Sequence, residues 1–383
     1  MTTILKGYQF RLYPNNEQKK LINQTIGCSR FIYNHFLEER INEYKKTGRT
    51  LTCYEQIKEI PELYKDYPWL KEVDSCSLRN PVFYLENAYN RFFSQNNGFP
   101  KFKNKDTGNS YKTNNIKNTY KDKNYESIKI DLKNRTITLP KLKEVPIRGY
   151  RNKEVFVGNI KSAVIRREGL KYYVSVLVEE PLILPPFQPK SIVGLDLGIK
   201  DLIITSHNEK IENNLECTNI NKRIKGLQKA LARCQKGSKN REKIKLKIKR
   251  AYMKLKNIRK HLIHEITNKI IKDNDIIVME DLDIKAMYQT RSIAKHLVNI
   301  PLAEIKRVLE YKCLWKNKKL ITINRYYPSS QVCSVCEYQN KKLKDLSIRK
   351  WECPKCGYIH DRDINASINI MFEGLKIYMR SLI

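Results

Sequence analysis

The chain has 383 residues, 41% of them hydrophobic, with only 14 Gly and 14 Pro, so it can build two or three domains with real cores and is not a low-complexity tail. Lys and Arg number 74 against 40 Asp and Glu, a formal net charge of +34 that excludes an ordinary small-molecule enzyme and points to a polyanion, nucleic acid first. A membrane surface is the weaker reading, because the sequence shows no long apolar span, basic amphipathic anchor or lipidation motif.

The opening MTTILKGYQFRLYP has neither the apolar stretch nor the cleavage site of a secretory signal, which predicts a reducing compartment for the ten cysteines. Six of these, Cys28, Cys53, Cys76, Cys217, Cys234 and Cys313, stand singly and read as small buried hydrophobes. Thr3 to Leu12 alternates in part and predicts a strand that Pro14 breaks. Asn15 with Gln18 resembles a capping box, and Leu21, Ile22, Cys28, Phe31, Ile32, His35 and Phe36 follow at helical spacing. A lone His35 on that face reads as a core residue. Helices are predicted again from about Tyr54 to Tyr64 and from near Asp74, the latter with Leu78, Leu85, Ala88, Tyr89, Phe92 and Phe93 on one side. The segment GFPKFK, residues 98–103, then opens a polar stretch to about Asn124. Its aromatic residues among lysines suit nucleic acid, with Lys101 and Lys103 on phosphates; the alternative is a loop that tucks Phe99 and Phe102 into the core.

From Ser127 the pattern changes to strands. Residues 127–131 and 136–139 flank a hairpin signal at Lys133-Asn134, and residues 155–157, 162–166 and 172–178 continue it, with a turn at Glu168-Gly169. This predicts a small β-barrel or sandwich that the first strand joins, with the helices inserted after that strand. Residues 181–189 are a Pro-rich linker. It leads to SIVGLDLGIK, residues 191–200, an apolar run fit for a strand buried on both faces, with Asp196 in its middle. A carboxylate there is costly unless paired or bound to metal, and Gly194 and Gly198 allow close approach of a backbone or ligand. Residues 201–206 complete a hairpin-like pair.

Two long helices follow, marked by Ile224, Leu227 and Leu231 and by Ile244, Ile248, Ala251, Leu255, Ile258 and Leu262, with a turn at Gly237-Ser238. Lys222 to Lys260 holds 17 basic residues and one acid, Glu242. Such one-sided charge favours a phosphate backbone over a solvated face, with Lys222, Arg223, Lys243, Lys247 and Arg250 as candidate contacts. DIIVME, residues 275–280, is a further buried strand ending in an acid, followed by Asp281-Leu-Asp283. Helices near residues 294–316 and a strand at 320–324 complete a mixed α/β sheet with helices packed on it.

Cys333-x-x-Cys336 and Cys353-x-x-Cys356, with 16 residues between, have the spacing of two knuckles that close a tetrahedral structural zinc site. Gly357 supplies the glycine that a knuckle turn prefers; Glu337 departs from it. His360 is near but not needed as a ligand. Asp361-Arg-Asp363 then opens a helix whose acidic first turn suits the helix dipole. Asp196, Glu280 and Asp363 thus sit on separate elements of one predicted sheet, and three such carboxylates can converge on two Mg²⁺ ions that activate water and clamp a scissile phosphate.

The segments GLDLGIKDLI, VMEDLDIKAM, YPSSQVCSVC, CPKCG and HDRDINASINI, in this order, resemble TnpB, the OrfB-type family of bacterial and archaeal insertion sequences. FRLYPNNEQKKLINQTIGCSRFIYN and GFPKFK resemble its N-terminal region, so the likeness spans nearly the whole chain. It implies an RNA-guided DNA endonuclease of RuvC-like, ribonuclease-H fold, related to type V CRISPR effectors, with Asp196, Glu280 and Asp363 as catalytic acids and Asp361 as a capping or supporting residue. Ser367, where the family carries alanine, does not touch the acids. The implied organisation is a wedge-like barrel at 1–13 and 106–188, a helical recognition module at 14–105, a nuclease at 189–327 with the basic hairpin at 220–272, a zinc ribbon at 328–358, and the rest of the nuclease at 359–383. The implied partners are a guide RNA from the element's own end, a double-stranded DNA target and a separate transposase of the same element, in the prokaryotic cytoplasm at the nucleoid. Two other functions share these residues. A strand-transfer transposase is one, although no His-x-His pair is present, His261 and His264 being three apart. A nuclease-inactive RNA-guided repressor is the other, and the presence of all three acids argues against it.

Overall fold

In the computed structural model the described residues are 3–95, 97–120, 123–149, 158–182, 184–198, 201–213, 218–283, 289, 302–345 and 347–382. The chain divides into two compact units, Met1–Ile183 and Leu184–Ile383.

The first unit opens with the expected strand, β1 (Thr3–Leu12), and three helices, α1 (Asn16–Thr47), α2 (Cys53–Asp66) and α3 (Ser75–Gln95). Asn15 and Gln18 do form the capping box of α1. The polar stretch after GFPKFK, to which the sequence pattern assigned no strand, holds β2 (Ser110–Asn114) and the hairpin β3 (Lys117–Tyr120) and β4 (Lys123–Glu126). Strands β5 (Lys129–Asp131), β6 (Thr136–Leu139), β7 (Lys143–Arg148), β8 (Asn159–Glu168) and β9 (Lys171–Pro181) follow; the strand expected at 155–157 falls outside the described residues. Seven of these strands form one antiparallel sheet in the order β2-β8-β9-β1-β7-β6-β5, so the first strand joins the later ones as anticipated. Helix α1 serves two cores. Ile22 and Ile26 pack under the sheet with Phe10, Val174 and Val176, while Ile32, Phe36 and Leu37 pack with Leu78, Val82 and Leu85 of α3.

The second unit is built on the sheet β12-β11-β10-β13-β14, formed by β10 (Ile192–Asp196), β11 (Asp201–Thr205), β12 (Lys210–Glu212), β13 (Ile276–Glu280) and β14 (Lys319–Ile323). The first three pair antiparallel, and β10, β13 and β14 run parallel. Helices α4 (Thr218–Arg233) and α5 (Lys239–Asp273) form the basic hairpin, with Ser238 capping α5. Helix α6 (Leu302–Trp315) accounts for the helical prediction at 294–316, of which 294–301 fall outside the described residues. Two short strands of the cysteine region, β15 (Lys350–Glu352) and β16 (Ile359–Asp361), lead into α7 (Arg362–Arg380).

The apolar run IIVM of β13 is explained by burial on both faces. Ile277 and Met279 join Val193 and Leu195 against α5 and α6, while Ile276 and Val278 meet Ile370 and Tyr378 of α7. Gly194 lies on the α7 side, where an added Cβ would overlap the Ser367 carbonyl oxygen and come within 2.6 Å of the Met371 nitrogen. Gly374 of α7 reciprocates, its missing Cβ leaving room for Val278. Two glycines facing each other's elements thus let α7 lie unusually close to β10 and β13.

Candidate active site and metal centre

Alternation along β10 and β13 carries Asp196 and Glu280 to the α7 face. Ile192, Gly194 and Asp196 share one side of β10, as do Ile276, Val278 and Glu280 of β13. The two strands are parallel, with Leu195 paired to Met279, so both acids stand at the same end of the sheet. Asp196 is the last residue of β10 and not its middle, because the strand stops there: Gly198 turns the chain, its N–H bonding the Leu202 carbonyl at 3.3 Å. Asp363 comes from the first turn of α7, whose N-cap is Asp361; the Asp361 carboxylate accepts from the N–H groups of Asp363 (3.1 Å) and Ile364 (3.2 Å).

Burial pushes the Asp196 carboxyl up to about 7, helped by the charges of Glu280 and Asp363 and opposed by Arg362. Burial also raises Glu280, offset by the Ser329 hydroxyl, which donates to its Oε1 at 2.5 Å. The Asp363 carboxylate takes one guanidinium nitrogen of Arg349 at 3.2 and 3.4 Å. Asp281 and Asp283 stand apart from the three acids. Arg325 bridges both, and Lys306 with Arg325 holds Asp281 below the usual carboxylate range.

The four cysteine sulfurs of Cys333, Cys336, Cys353 and Cys356 lie within 4.8 Å of one another, 3.7 Å apart for Cys333 and Cys356 and 3.6 Å apart for Cys336 and Cys353. Four thiolates about 2.3 Å from a tetrahedral zinc stand about 3.8 Å from one another, so the set fits that ion. The two knuckles have the same backbone. In each, the first cysteine's N–H bonds the carbonyl of the residue five on, at 2.9 Å (Cys333 to Tyr338, Cys353 to Tyr358). Glu337 occupies the left-handed conformation, φ 59°, that Gly357 takes at φ 71°, so the sequence departure costs strain without changing the knuckle. His360 is buried against Trp351 with its Nε2 3.1 Å from the Cys333 sulfur, a neighbour of the site rather than a member of the four.

Of the candidate phosphate contacts, Lys222, Arg223, Lys243, Lys247 and Arg250 are all exposed on the hairpin, whose own small core is Ile224, Ala251 and Leu255. Lys101 is exposed too. Lys103 is not a free surface charge: it is partly buried, lies 3.6 Å from the Tyr33 ring centroid, and burial lowers its ammonium to about 8. Phe99 and Phe102 do not tuck into the core; both stay largely exposed, Phe99 packing edge-on against Tyr89 and Phe92. Of the single cysteines, Cys28, Cys53, Cys76 and Cys313 are buried as expected, Cys234 is half-buried, and Cys217 falls outside the described residues. Sequence reasoning missed Arg349, Arg362 and Ser329, since nothing in a lone Arg or Ser marks it as the neighbour of a distant acid.

Three family models match the chain: a probable transposase of the OrfB type of IS605 elements over residues 173–291, a Cas12f1-like TNB domain over 303–370, and a helix-turn-helix domain over 1–49. In this chain the last region is β1 followed by the single long helix α1. A protein of Streptomyces pristinaespiralis named "Putative RNA-guided DNA endonuclease" is 29% identical over 98% of this chain and 90% of its own length. InsQ of Escherichia coli K12, named likewise, is 28% identical over 97% of this chain and 92% of its own. Among solved structures, Cas12f1 in complex with a single-guide RNA and target DNA has a similar fold, with a TM-score of 0.60 at 15% identity, covering 96% of this chain and 99% of that one.

Proposed function

We propose that this chain, which belongs to the TnpB (OrfB-type) family of insertion-sequence proteins, is an RNA-guided DNA endonuclease dependent on divalent metal. The observation that carries the reading is the placement of Asp196 and Glu280 at one end of two adjacent parallel strands, with Asp363 opening the helix packed against them. An antiparallel hairpin leading into parallel strands supports assigning residues 189–327 and 359–383 to a RuvC-like, ribonuclease-H-type nuclease. We assign residues 328–358 to a zinc ribbon, 1–13 with 106–188 to a wedge-like barrel, and 14–105 to a recognition module.

Asp196, whose proton affinity is raised by burial and then by the charges of Glu280 and Asp363, forms with those two a carboxylate donor set suited to hard cations, so the three would hold Mg²⁺. Bound there, two such ions would supply an activated water and charge neutralisation at the scissile phosphate. The chain's own contribution is position. The paired strands fix Asp196 and Glu280, the Ser329 hydroxyl orients the Glu280 carboxylate, and Arg362 offsets part of the repulsion at Asp196. The ribbon's zinc is structural, because four thiolates leave no open position for substrate. Base pairing to a guide RNA from the element's own end would supply sequence choice, and the basic hairpin would meet phosphates of RNA or target DNA. The same reading places the chain in a prokaryotic cytoplasm, at the nucleoid, beside a separate transposase of its element. None of the described helices is long and apolar enough to cross a membrane.

The test is expression with the native flanking DNA and sequencing of the RNA that copurifies. One dominant species from the element's end, and Mg²⁺-dependent cutting of a plasmid matching its variable end, is the expected result. Asp196→Ala should abolish cutting with RNA and DNA binding retained. A smear of host RNA, with activity indifferent to ribonuclease, would refute guidance. Hydroxyl-ended product joined to target DNA would reveal strand transfer instead.

A further inference from the structure

The first cysteine knuckle and the acid site are joined by one continuous chain of hydrogen bonds. Asn365 and Asn369 lie one turn apart on the buried face of α7, 1% and 3% exposed. Both reach into the knuckle. Asn365 accepts the Ser334 N–H at 2.9 Å and donates to the Val332 carbonyl at 2.7 Å. Asn369 donates to that same carbonyl at 2.6 Å and to the Ser329 carbonyl at 2.7 Å. Val332 and Ser334 bracket Cys333, so the two amides clamp the backbone on either side of a cysteine of the thiolate set. Ser329 closes the chain by donating its hydroxyl to Glu280. A second tie runs beside the first. Buried Arg362 donates to the carbonyls of Asp345 (2.5 Å) and Ile348 (3.4 Å), and its own N–H bonds the carbonyl of Arg349, whose guanidinium holds Asp363.

A mere gluing of helix to ribbon would need only apolar packing. Here the junction is made of buried amides, and each one left without its partner would cost about 1–3 kcal/mol. The knuckle therefore cannot loosen without releasing Ser329, and with it Glu280. We propose that Asn365 and Asn369 are positioning residues that make zinc binding by the four cysteines and divalent-cation binding by Asp196, Glu280 and Asp363 one coupled unit. This rests on reading the three acids as a metal site. Coupling between sites is reciprocal, so a cation at the acids must also tighten the knuckle's hold on zinc.

The measurement is the equilibrium zinc affinity of the purified full-length protein, set by competition with a colorimetric zinc chelator, with and without saturating Mg²⁺, alongside guided cleavage. In wild type, Mg²⁺ should protect the zinc, raising that affinity by about fivefold or more. Asp196→Ala should erase that protection, which identifies the acids as its source. Asn369→Ala should keep one zinc per chain but lose the protection. Ser329→Ala removes only a hydroxyl, so it carries the test if the asparagine variant fails to fold. It too should lose the protection, and it should need about tenfold more Mg²⁺ for half-maximal cutting, a change of about 1.4 kcal/mol. Wild-type zinc affinity indifferent to Mg²⁺, in protein that cuts with Mg²⁺, overturns the coupling and leaves the nuclease reading intact. Protection retained in both Asn369→Ala and Ser329→Ala overturns the assigned route. Protein that cuts no guided target, yet shows the protection, would fail the function and not the coupling.

Discussion

Asp196 carries the clearest electrostatic cost in the second unit. Its folded pKa, about 7, lies above the ordinary carboxylate value, so the folded chain binds this proton more tightly than the unfolded chain. The stability linked to that proton is complete in acid and is lost as pH rises through 7. Asp196→Asn cannot ionise, so without Mg²⁺ at pH 8 it should be more stable than wild type by roughly 2–4 kcal/mol. The gap should close as pH falls from 7 toward 4, and cutting should be absent throughout. Thermal melts across that range check it, and equal midpoints at pH 8 would refute the cost of burying an ionised Asp196 beside the other two acids. Glu337 is the second residue under strain. Glu337→Gly should raise stability by about 0.5–1 kcal/mol by relieving a left-handed backbone, whereas Glu337→Ala, needing the same φ, should not. Its pair with Lys376, 3.4 Å and exposed, contributes too little to reverse the sign.

At the scale of elements, the site depends on how closely α7 lies on the sheet. Gly194→Ala and Gly374→Ala each push a methyl into backbone or into Val278 and should cost about 3 kcal/mol or more, with cutting lost. Gly226→Ala, in α4 with nothing within 4 Å of the new methyl, should instead stabilise by up to about 1 kcal/mol. Denaturant unfolding of the three variants separates these cases. The sequence made Gly194 legible, because a glycine inside an apolar strand signals close approach, but it hid Gly374, one glycine in an ordinary amphipathic helix. The same contrast explains which elements could be read. Strands β10 and β13 announce themselves as continuous apolar runs because both faces are covered. Strand β2 sits at the edge of its sheet and buries only Tyr111 and Thr113 of SYKTN, so the sequence pattern assigns it no strand. The end of β10 was misplaced for a related reason: Leu197 continues the apolar run and packs on the core, but it does so from beyond the strand. The cysteine spacing and the three acids stand out in the sequence as candidate metal ligands. The amides that tie them together do not, since Asn365 and Asn369 acquire meaning only from the knuckle folded against them.

Across the whole molecule the +34 charge has to be accommodated, and the hairpin concentrates it. Along α4 and α5 the small core of Ile224, Ala251 and Leu255 holds two helices whose exposed faces are nearly all cationic, with Glu242 paired to Lys245 at 2.6 Å as the lone acid between Lys222 and Lys260. Like charges at this density repel one another, so a hairpin this basic is most stable against a polyanion. Each phosphate neutralised by a side chain releases condensed counterions, which makes affinity fall with salt in proportion to the number of phosphates met. Replacing Lys222, Arg223, Lys243, Lys247 and Arg250 with alanine should therefore weaken binding uniformly across sequences. It should also flatten the logarithmic salt dependence by about 0.7–0.9 for each phosphate no longer neutralised, or about 4 if all five side chains meet phosphate. Guide-RNA and target-DNA binding measured separately between low and physiological salt would show which of the two the hairpin holds. An unchanged slope for both would mean that the hairpin's charge faces solvent and that the nucleic acid is carried elsewhere on the chain.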